Sequence, residues 1–406
     1  MELTDEQLAW LDDYRGKQKP LEKGYFEEAD DDKGSQFFDG KTFIPSRLGD
    51  TLIEQLPLVY DGNHLYHYEN GVYVPKGDLY IRKMAHDLLG ERFRRRYVEE
   101  AIYYIESICY KEVNSVNEND GIINVANGLL DVTTGELYEH TPSRFSTIQL
   151  PVKYDPYADC PNIKKFLSDV LPSDSIQMME EGFGFLMLPS TQYEKAMMLT
   201  GDGGNGKSKL IALVGHFLGN VNVSNVPLQD LENNRFKLAQ LYGKLANTFA
   251  DIPSSALEKS STFKSIVSGD RMSAEFKGKD SFDFTPVARL IFSANELPKS
   301  SDLTNGFFRR WLIVPFPNKF EGKNADKNLM DKLTTEEELS GLLNLALNGL
   351  KRLREQGHFT ENETTMTALD NYKRDIDNIS TFIEEECMLG ENYRVIKRNL
   401  WCYDSG

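Results

Sequence analysis

The sequence predicts an α/β fold in which a parallel sheet carries a glycine-rich loop. Four runs of residues typical of buried strands, separated by helical or loop stretches, predict this sheet at 196–200, 245–250, 288–294 and 311–314. A glycine-rich segment directly follows the first run, and apolar residues at helical spacing follow that segment. Strand, loop and helix in this order are typical of a doubly wound α/β domain.

Length and composition indicate a folded protein with an acidic surface. The chain has 406 residues, of which 40% are hydrophobic, enough to build the cores of two or three domains. Its 46 Lys and Arg against 63 Asp and Glu give a formal charge of −17, so any contact with nucleic acid must be local. Four widely spaced Cys residues predict a reduced, cytoplasmic protein, and no apolar run approaches the roughly 20 residues of a membrane span.

Two segments precede the predicted sheet. Residues 1–40 hold twelve acidic and five basic residues and predict a solvated acidic arm. Residues 41–160 predict a mixed α+β module. Within it, one hairpin is expected at 64–74 around an Asn-Gly turn, and a second at 122–138 with its turn at 133–135.

The predicted sheet domain occupies residues 161–323. It begins with a helical entry over 161–190, where apolar residues recur at helical spacing. Residues 324–406 predict a helical C-terminal region, which includes a short helix over 382–387.

The glycine-rich segment is a full match to G-x-x-x-x-G-K-[ST]. Its glycines let backbone N–H groups turn towards phosphate oxygens, and the following helix directs its positive end at the same phosphates. Lys207 would neutralise the β and γ phosphates of ATP, and the Ser208 hydroxyl would be a ligand of Mg²⁺. The predicted ATP-binding residues are Gly201, Asp202, Gly203, Gly204, Asn205, Gly206, Lys207 and Ser208.

Polar side chains at the ends of the other predicted strands complete a catalytic set. Asp251 is the candidate second ligand of Mg²⁺, but Ile252 follows it where many such ATPases place a water-activating Glu, so the base stays open. Asn295 is expected to contact the γ-phosphate or the attacking water. Of Arg309 and Arg310, one is expected to reach the γ-phosphate of a neighbouring subunit and the other to pair with a carboxylate.

A second predicted device lies between Asp251 and Asn295. The pattern indicates a β-hairpin whose tip carries Lys277 and Lys279 on either side of a glycine. Residues 256–320 contain ten basic and seven acidic residues, whereas the rest of the chain has a net charge of −20. A compact positive loop in an acidic chain is typical of a DNA-tracking element, and an ordinary solvated hairpin tip is the alternative.

The order of these motifs resembles that of the superfamily 3 helicases, in particular the helicase part of phage and plasmid primase-helicases. The resemblance covers about residues 60–390. Upstream of the phosphate loop it rests on Asn124-Val-Ala-Asn-Gly-Leu-Leu-Asp131. Downstream it rests on the strand before Asp251, the lysine hairpin, Ile291-Phe-Ser-Ala-Asn295-Glu-Leu-Pro298 and Phe308-Arg-Arg-Trp311.

The resemblance implies a P-loop AAA+-type sheet sandwiched by helices, in a homo-hexamer that translocates 3′ to 5′ on single-stranded DNA at replication forks of a bacterial host. A recognisable primase domain is missing, so a separate primase is expected, and the helical C-terminal region could be a truncated winged helix. The implied roles are ATP on residues 201–208, Mg²⁺ at Ser208 and Asp251, a sensor at Asn295, an arginine finger at Arg309 or Arg310, and DNA on Lys277 or Lys279.

Two other functions stay open at this point. One is an AAA+ remodeller or loader that acts on protein, which the lysine hairpin disfavours. The other is a nucleotide-bound, origin-binding scaffold with slow hydrolysis, which Ile252 after Asp251 favours.

Overall fold

The computed structural model describes residues 34–111, 117, 121–253, 259–320 and 326–377. The chain forms two compact units, the first made of Met1–Leu58 and Lys76–Cys109 and the second of Val59–Pro75 and Tyr110–Gly406. Most of the predicted acidic arm and the predicted helix at 382–387 lie outside the described residues. No helix within the described ranges is both long and apolar enough to cross a membrane.

The first unit is mainly helical. Its elements are β1 (Phe38–Asp39), β2 (Thr42–Phe43), α1 (Pro45–Gln55), α2 (Gly77–Leu89) and α3 (Arg95–Ile108). Helix α2 ends at Gly90, whose positive φ of 54° glycine adopts readily, and α3 begins five residues later. Helices α1 and α3 approach closely at Gly49, and the Tyr104 hydroxyl donates to Asp50 at 2.8 Å.

Short antiparallel strands open the second unit. They are β3 (Leu58–Tyr60), β4 (Leu65–Glu69), β5 (Val72–Pro75), β6 (Ile122–Val125), β7 (Gly128–Asp131) and β8 (Leu137–Tyr138). The first predicted hairpin is confirmed, because β4 and β5 pair around Asn70 and Gly71, both with positive φ. The second prediction was incomplete: residues 122–138 form three strands, since Val125 pairs with Gly128 across an extra two-residue turn.

A five-stranded parallel sheet is the centre of the second unit. The strands from here on are β9 (Ala196–Thr200), β10 (Val223–Ser224), β11 (Ala246–Phe249), β12 (Met272–Glu275), β13 (Ser281–Phe284), β14 (Arg289–Ala294) and β15 (Trp311–Pro315). The sheet has the order β10-β11-β14-β9-β15, and β12 and β13 form a separate antiparallel hairpin. The four predicted strands and the lysine hairpin are confirmed. Strand β10 was missed because two residues give no recognisable pattern.

Both faces of this sheet are covered, as a parallel sheet requires. Alternate residues point to opposite faces, so Met197 and Leu199 enter one hydrophobic cluster and Ala196 and Met198 the other. The covering helices are α4 (Pro161–Val170), α5 (Ile176–Leu186), α6 (Lys207–Leu218), α7 (Leu228–Asn233), α8 (Arg235–Leu238), α9 (Ser261–Ser268), α10 (Asn305–Phe308), α11 (Leu329–Leu333), α12 (Glu336–Gln356) and α13 (Glu363–Ile376). The described part of the C-terminal region is therefore helical, as expected.

A buried ion pair joins the helical entry to the C-terminal region. The side chain of Glu181 on α5 is completely buried and accepts hydrogen bonds from Arg352 Nε of α12 at 2.7 Å and from the Thr360 N–H at 2.7 Å. Gly349 lets α12 lie directly against the backbone of α5, because an added Cβ would clash with the Glu180 carbonyl. The charges are thus fixed at the point where the helices are closest.

Replacing Glu181 by Ala should lower the free energy of unfolding by about 3 kcal/mol, because Arg352 and the Thr360 N–H lose their buried acceptor. Urea denaturation measures the change. The matched control is Glu180→Ala, since Glu180 pairs with the same Arg352 but is partly exposed, and it should cost less than about 1 kcal/mol. Equal losses from the two variants would contradict a special role for the buried pair.

Candidate nucleotide-binding site

The glycine-rich loop, residues 201–208, connects the carboxyl end of β9 to the N-terminus of α6. At Gly206, φ is 95° and an added Cβ would lie 2.8 Å from Val170 Cγ1. At Gly201, φ is 140° and an added Cβ would lie 2.6 Å from the Phe316 carbonyl oxygen. Both positions therefore require glycine for conformation and for space. The loop lies where open α/β sheets bind ligands, at the carboxyl ends of the strands.

Lys207 is the buried charge of this loop, with 4% of the residue exposed. Its ammonium donates to the Asp202 carbonyl at 2.9 Å, to Asn205 Oδ1 at 3.2 Å and to Asn295 Oδ1 at 3.3 Å. Burial lowers the pKa of Lys207, and the nearby Asp251 carboxylate opposes that shift. Loop lysine, strand-end amide and strand-end carboxylate are thus brought together.

The segment after β15 braces the loop from outside. The Asn205 side-chain amide donates to the Phe316 carbonyl at 3.2 Å, and the Phe320 N–H donates to the Gly204 carbonyl at 2.7 Å. Sequence reasoning missed this segment because it acts through backbone atoms, which leave no signature in residue type. These two hydrogen bonds tie the glycine-rich loop to the segment after β15.

Asp251 follows β11 in a conformation that is uncommon for a residue with a side chain, with φ of 54°. Its N–H donates to Ser293 Oγ at 3.2 Å, and the Ile252 N–H donates to the Ser293 carbonyl at 3.0 Å. Ser293 lies on the neighbouring strand β14, so the strand that carries Asn295 also fixes the backbone of Asp251.

A cavity of about 300 Å³ opens beside these strand ends and is lined by Asp251, Ile252, Asn295 and Glu296. Glu296 was not singled out from the sequence, where it is one more acidic residue after a strand. Its carboxylate has no hydrogen-bond or ion-pair partner within the described ranges, and it is exposed beside Asp251. This position is the one from which a carboxylate could take a proton from a water molecule in the cavity.

The donor set suits Mg²⁺ only in combination with a nucleotide. Ser208 is exposed at the N-terminus of α6, and Asp251 lines the cavity. The described part of the chain contains no group of three or more His, Cys, Asp or Glu side chains that could hold a metal alone. Mg²⁺ in nucleotide sites commonly takes one or two protein ligands and completes its octahedron with phosphate oxygens and water, which these two residues fit.

The two arginines lie at the opposite, amino edge of the sheet. The Ala196 N–H, at the start of β9, donates to the Arg310 carbonyl at 2.8 Å. Arg310 is buried and donates to Ser268 Oγ at 2.6 Å, and burial lowers its pKa. Arg309 has about half of its side chain exposed, at 49%, and forms an ion pair with Glu194. The two side chains therefore differ, and Arg310 is the structural one.

The hairpin lysines also differ from each other. Both are exposed in the loop between β12 and β13. Lys279 donates to the Asn63 carbonyl at 3.1 Å, whereas Lys277 has no hydrogen-bond or ion-pair partner among the described residues. Neither lysine touches the phosphate loop, so a direct role in nucleotide binding has no support from these contacts.

Two family models match the chain. One, described as D5 N terminal like, matches residues 51–172, and the other, DUF5906, described as a family of unknown function, matches residues 199–310. The second match begins at the end of β9 and runs to Arg310, so it contains the whole predicted catalytic set.

Similar curated proteins come from large viruses and carry names that provisionally call them helicases. One from Acanthamoeba polyphaga mimivirus is 25% identical over 343 residues, which cover 77% of this chain and 35% of that protein. One from Invertebrate iridescent virus 3 is 25% identical over 238 residues, covering 54% of this chain and 25% of that protein. The chain thus spans about a third and a quarter of the length of these two relatives.

Solved structures of similar fold include apo forms of the C-terminal region of NrS-1. One has a TM-score of 0.54 at 15% identity and covers 85% of this chain and 83% of that one. Another has a TM-score of 0.51 at 14% identity and covers 86% and 83%. At this identity the likeness concerns the fold.

Lys207→Ala should abolish measurable binding of ATP, because the ammonium that faces the loop would no longer neutralise phosphate charge. Titration of a fluorescent ATP analogue measures the affinity. Lys209→Ala is the matched control, since Lys209 lies on the same helix but is exposed, and its affinity should stay within about twofold of wild type. Wild-type affinity in Lys207→Ala would contradict the assignment of the loop.

Proposed function

We propose that the protein is an ATP-dependent DNA helicase of a viral, phage or other mobile-element replication system. The observation that carries the proposal is that different functional groups lie at the two edges of the sheet. Lys207, Asp251 and Asn295 converge at the carboxyl edge, and an exposed arginine, Arg309, lies at the amino edge. The viral relatives with helicase names support the same reading.

In this proposal the loop binds the phosphates of ATP through its N–H groups and Lys207. Ser208 and Asp251 hold Mg²⁺, which neutralises charge on the phosphates when bound. Asn295 orients the attacking water through its side-chain amide. Glu296 accepts the proton of that water at its carboxylate, the role that Ile252 cannot fill.

Each Arg309 acts on the ATP of a neighbouring subunit in this proposal. Trp311 pairs with Ala196 and Pro315 with Thr200, so the arginines and the phosphate loop are separated by the length of a five-residue strand. At about 3.3 Å per residue this is roughly 16 Å, too far for Arg309 to reach its own loop. A closed ring, with a homo-hexamer as the expected form, supplies the neighbour for every site.

DNA binds at the hairpin tip in this proposal, and the strand moves 3′ to 5′ through the ring. A local contact is supported by the charge of residues 256–320, which include the hairpin: this stretch has a net charge of +3, whereas the rest of the chain has −20. A separate primase is the expected partner. Glu296 in the cavity weakens the case for a slow-hydrolysing scaffold, because a candidate base is present despite Ile252.

Strand displacement from a fork with a 3′ single-stranded tail tests the function. The wild-type protein should displace a labelled strand only with ATP and Mg²⁺. Glu296→Gln should bind the ATP analogue normally but turn over ATP about 10²-fold more slowly, since the amide cannot accept a proton. The helicase proposal would be contradicted if the wild-type protein displaced the strand without ATP, or if it displaced no strand from any fork. ATP turnover at the wild-type rate by Glu296→Gln would contradict only the assignment of Glu296 as the base.

Arg309→Ala should bind ATP normally but hydrolyse it on the order of 10³-fold more slowly, because the arginine acts on transition-state charge in the adjacent subunit. Mixing this variant with Lys207→Ala subunits should restore part of the turnover, since an intact loop then meets an intact arginine at one class of mixed interface. Steady-state ATPase assays over a range of mixing ratios measure the rescue.

Arg310→Ala is the comparison variant that separates a loss of catalysis from a loss of stability. It removes the buried contact with Ser268, so it should lower the melting temperature, whereas Arg309→Ala should not. Absence of rescue at every ratio, with mixed rings confirmed by native mass spectrometry, would count against an arginine supplied in trans.

A further inference from the structure

A buried carboxylate fixes a turn that lies against the lysine hairpin. Asp61 is 2% exposed, and its four acceptor positions are all used. Oδ1 accepts from the N–H groups of Asn63 and His64, both at 2.7 Å. Oδ2 accepts from the hydroxyls of Tyr66 and Tyr242, both at 2.9 Å. The Asp61 carboxylate therefore fixes the turn at residues 61–64 and also joins it to Tyr66 and Tyr242.

Tyr242 links this carboxylate to the base of the hairpin. Its ring lies edge-on to Phe282 at 5.3 Å and to Phe284 at 5.9 Å, both on β13. The His64 ring lies at 5.4 Å from the ring of Phe276, the first residue of the hairpin loop. Burial, and next the charge of Asp61, raise the pKa of Tyr242, so its hydroxyl stays a donor to the carboxylate.

The turn at residues 61–64 contacts one of the two hairpin lysines and not the other. The Asn63 carbonyl accepts from the Lys279 ammonium at 3.1 Å. Gly278, with φ of 81°, reverses the chain between the lysines and has no atoms within 4 Å of the position that a Cβ would occupy. Lys279 is thus turned towards the protein, whereas Lys277 has no partner among the described residues. Burial lowers the pKa of His64, which keeps the ring neutral beside the Lys279 ammonium.

We propose that residues 61–64 position the hairpin for DNA, so that Lys277 contacts a phosphate and Lys279 is a positioning residue that holds the tip through Asn63. This inference rests on the proposed function, because it assigns different roles to the two lysines of its DNA element. It also joins a segment outside the ATPase sheet to the part of the molecule that contacts the strand.

The salt dependence of binding to single-stranded DNA separates the two roles. Each phosphate contact contributes about 0.7 to the slope of log affinity against log salt concentration on a single strand. Lys277→Ala should lower the slope by about that amount. Lys279→Ala should weaken binding several-fold by a similar factor at every salt concentration, with the slope unchanged. Fluorescence anisotropy with a labelled oligothymidine measures both.

Hydrogen exchange on the DNA-free protein gives a second, independent readout. Lys279→Ala should speed exchange in both segments of the contact, residues 61–64 and 276–280. Lys279→Arg should restore protection, because a guanidinium can donate to the same carbonyl. Asp61→Ala should speed hydrogen exchange in both segments if the turn positions the hairpin. Faster exchange confined to residues 61–64 would mean that Asp61 only shapes its own turn, and would overturn the inference.

The outcomes also separate this inference from the function on which it rests. If the wild-type protein does not bind single-stranded DNA, the proposed function fails and the inference fails with it. If it binds, and the two alanine variants lose the same slope, both lysines are phosphate contacts and only the positioning role is overturned. Should Asp61→Ala not fold, the comparison of Lys277→Ala with Lys279→Ala still decides.

Discussion

The common direction of the five strands decides where each functional side chain can act. Strand β9 lies between β14 and β15, so the glycine-rich loop that follows it emerges beside Asn295 and near Asp251. The arginines precede β15 and lie at the other edge, because parallel strands place all their amino ends together. The acidic and amide groups therefore lie together at the carboxyl edge, whereas Arg309, which is about half exposed, lies at the amino edge, away from them.

In the glycine-rich loop, the positive charge of Lys207 already has hydrogen-bond acceptors within the protein. The Lys207 ammonium is held by loop carbonyls and two side-chain amides, and burial lowers its pKa. Phosphate oxygens would replace these neutral acceptors by charged ones and favour the ammonium form. The Phe316 carbonyl accepts a hydrogen bond from the Asn205 side chain, which ties the loop to the segment after β15.

Two of the buried carboxylates, Glu181 and Asp61, each join segments that lie far apart along the chain. Glu181 joins the entry helix to the C-terminal helices, and Asp61 joins an early turn to Tyr242 and the lysine hairpin. Each is enclosed by donors, which compensates the cost of removing its charge from water. Both hairpin lysines stay exposed in this acidic chain, and Lys277 has no hydrogen-bond or ion-pair partner among the described residues.

The sequence alone determined the local features, namely strands, a hairpin turn and a loop. Apolar runs predicted four of the five parallel strands, Asn70-Gly71 predicted a hairpin, and the spacing of glycines before Lys207 predicted the loop between β9 and α6, because these signals depend on neighbouring residues. Tertiary structure decided the rest. Only packing distinguishes the buried Arg310 from the exposed Arg309, and Lys279 from Lys277. Glu296 and Asp61 gave no signal because their partners lie far along the chain, and a single sequence does not encode which distant residues the fold brings together.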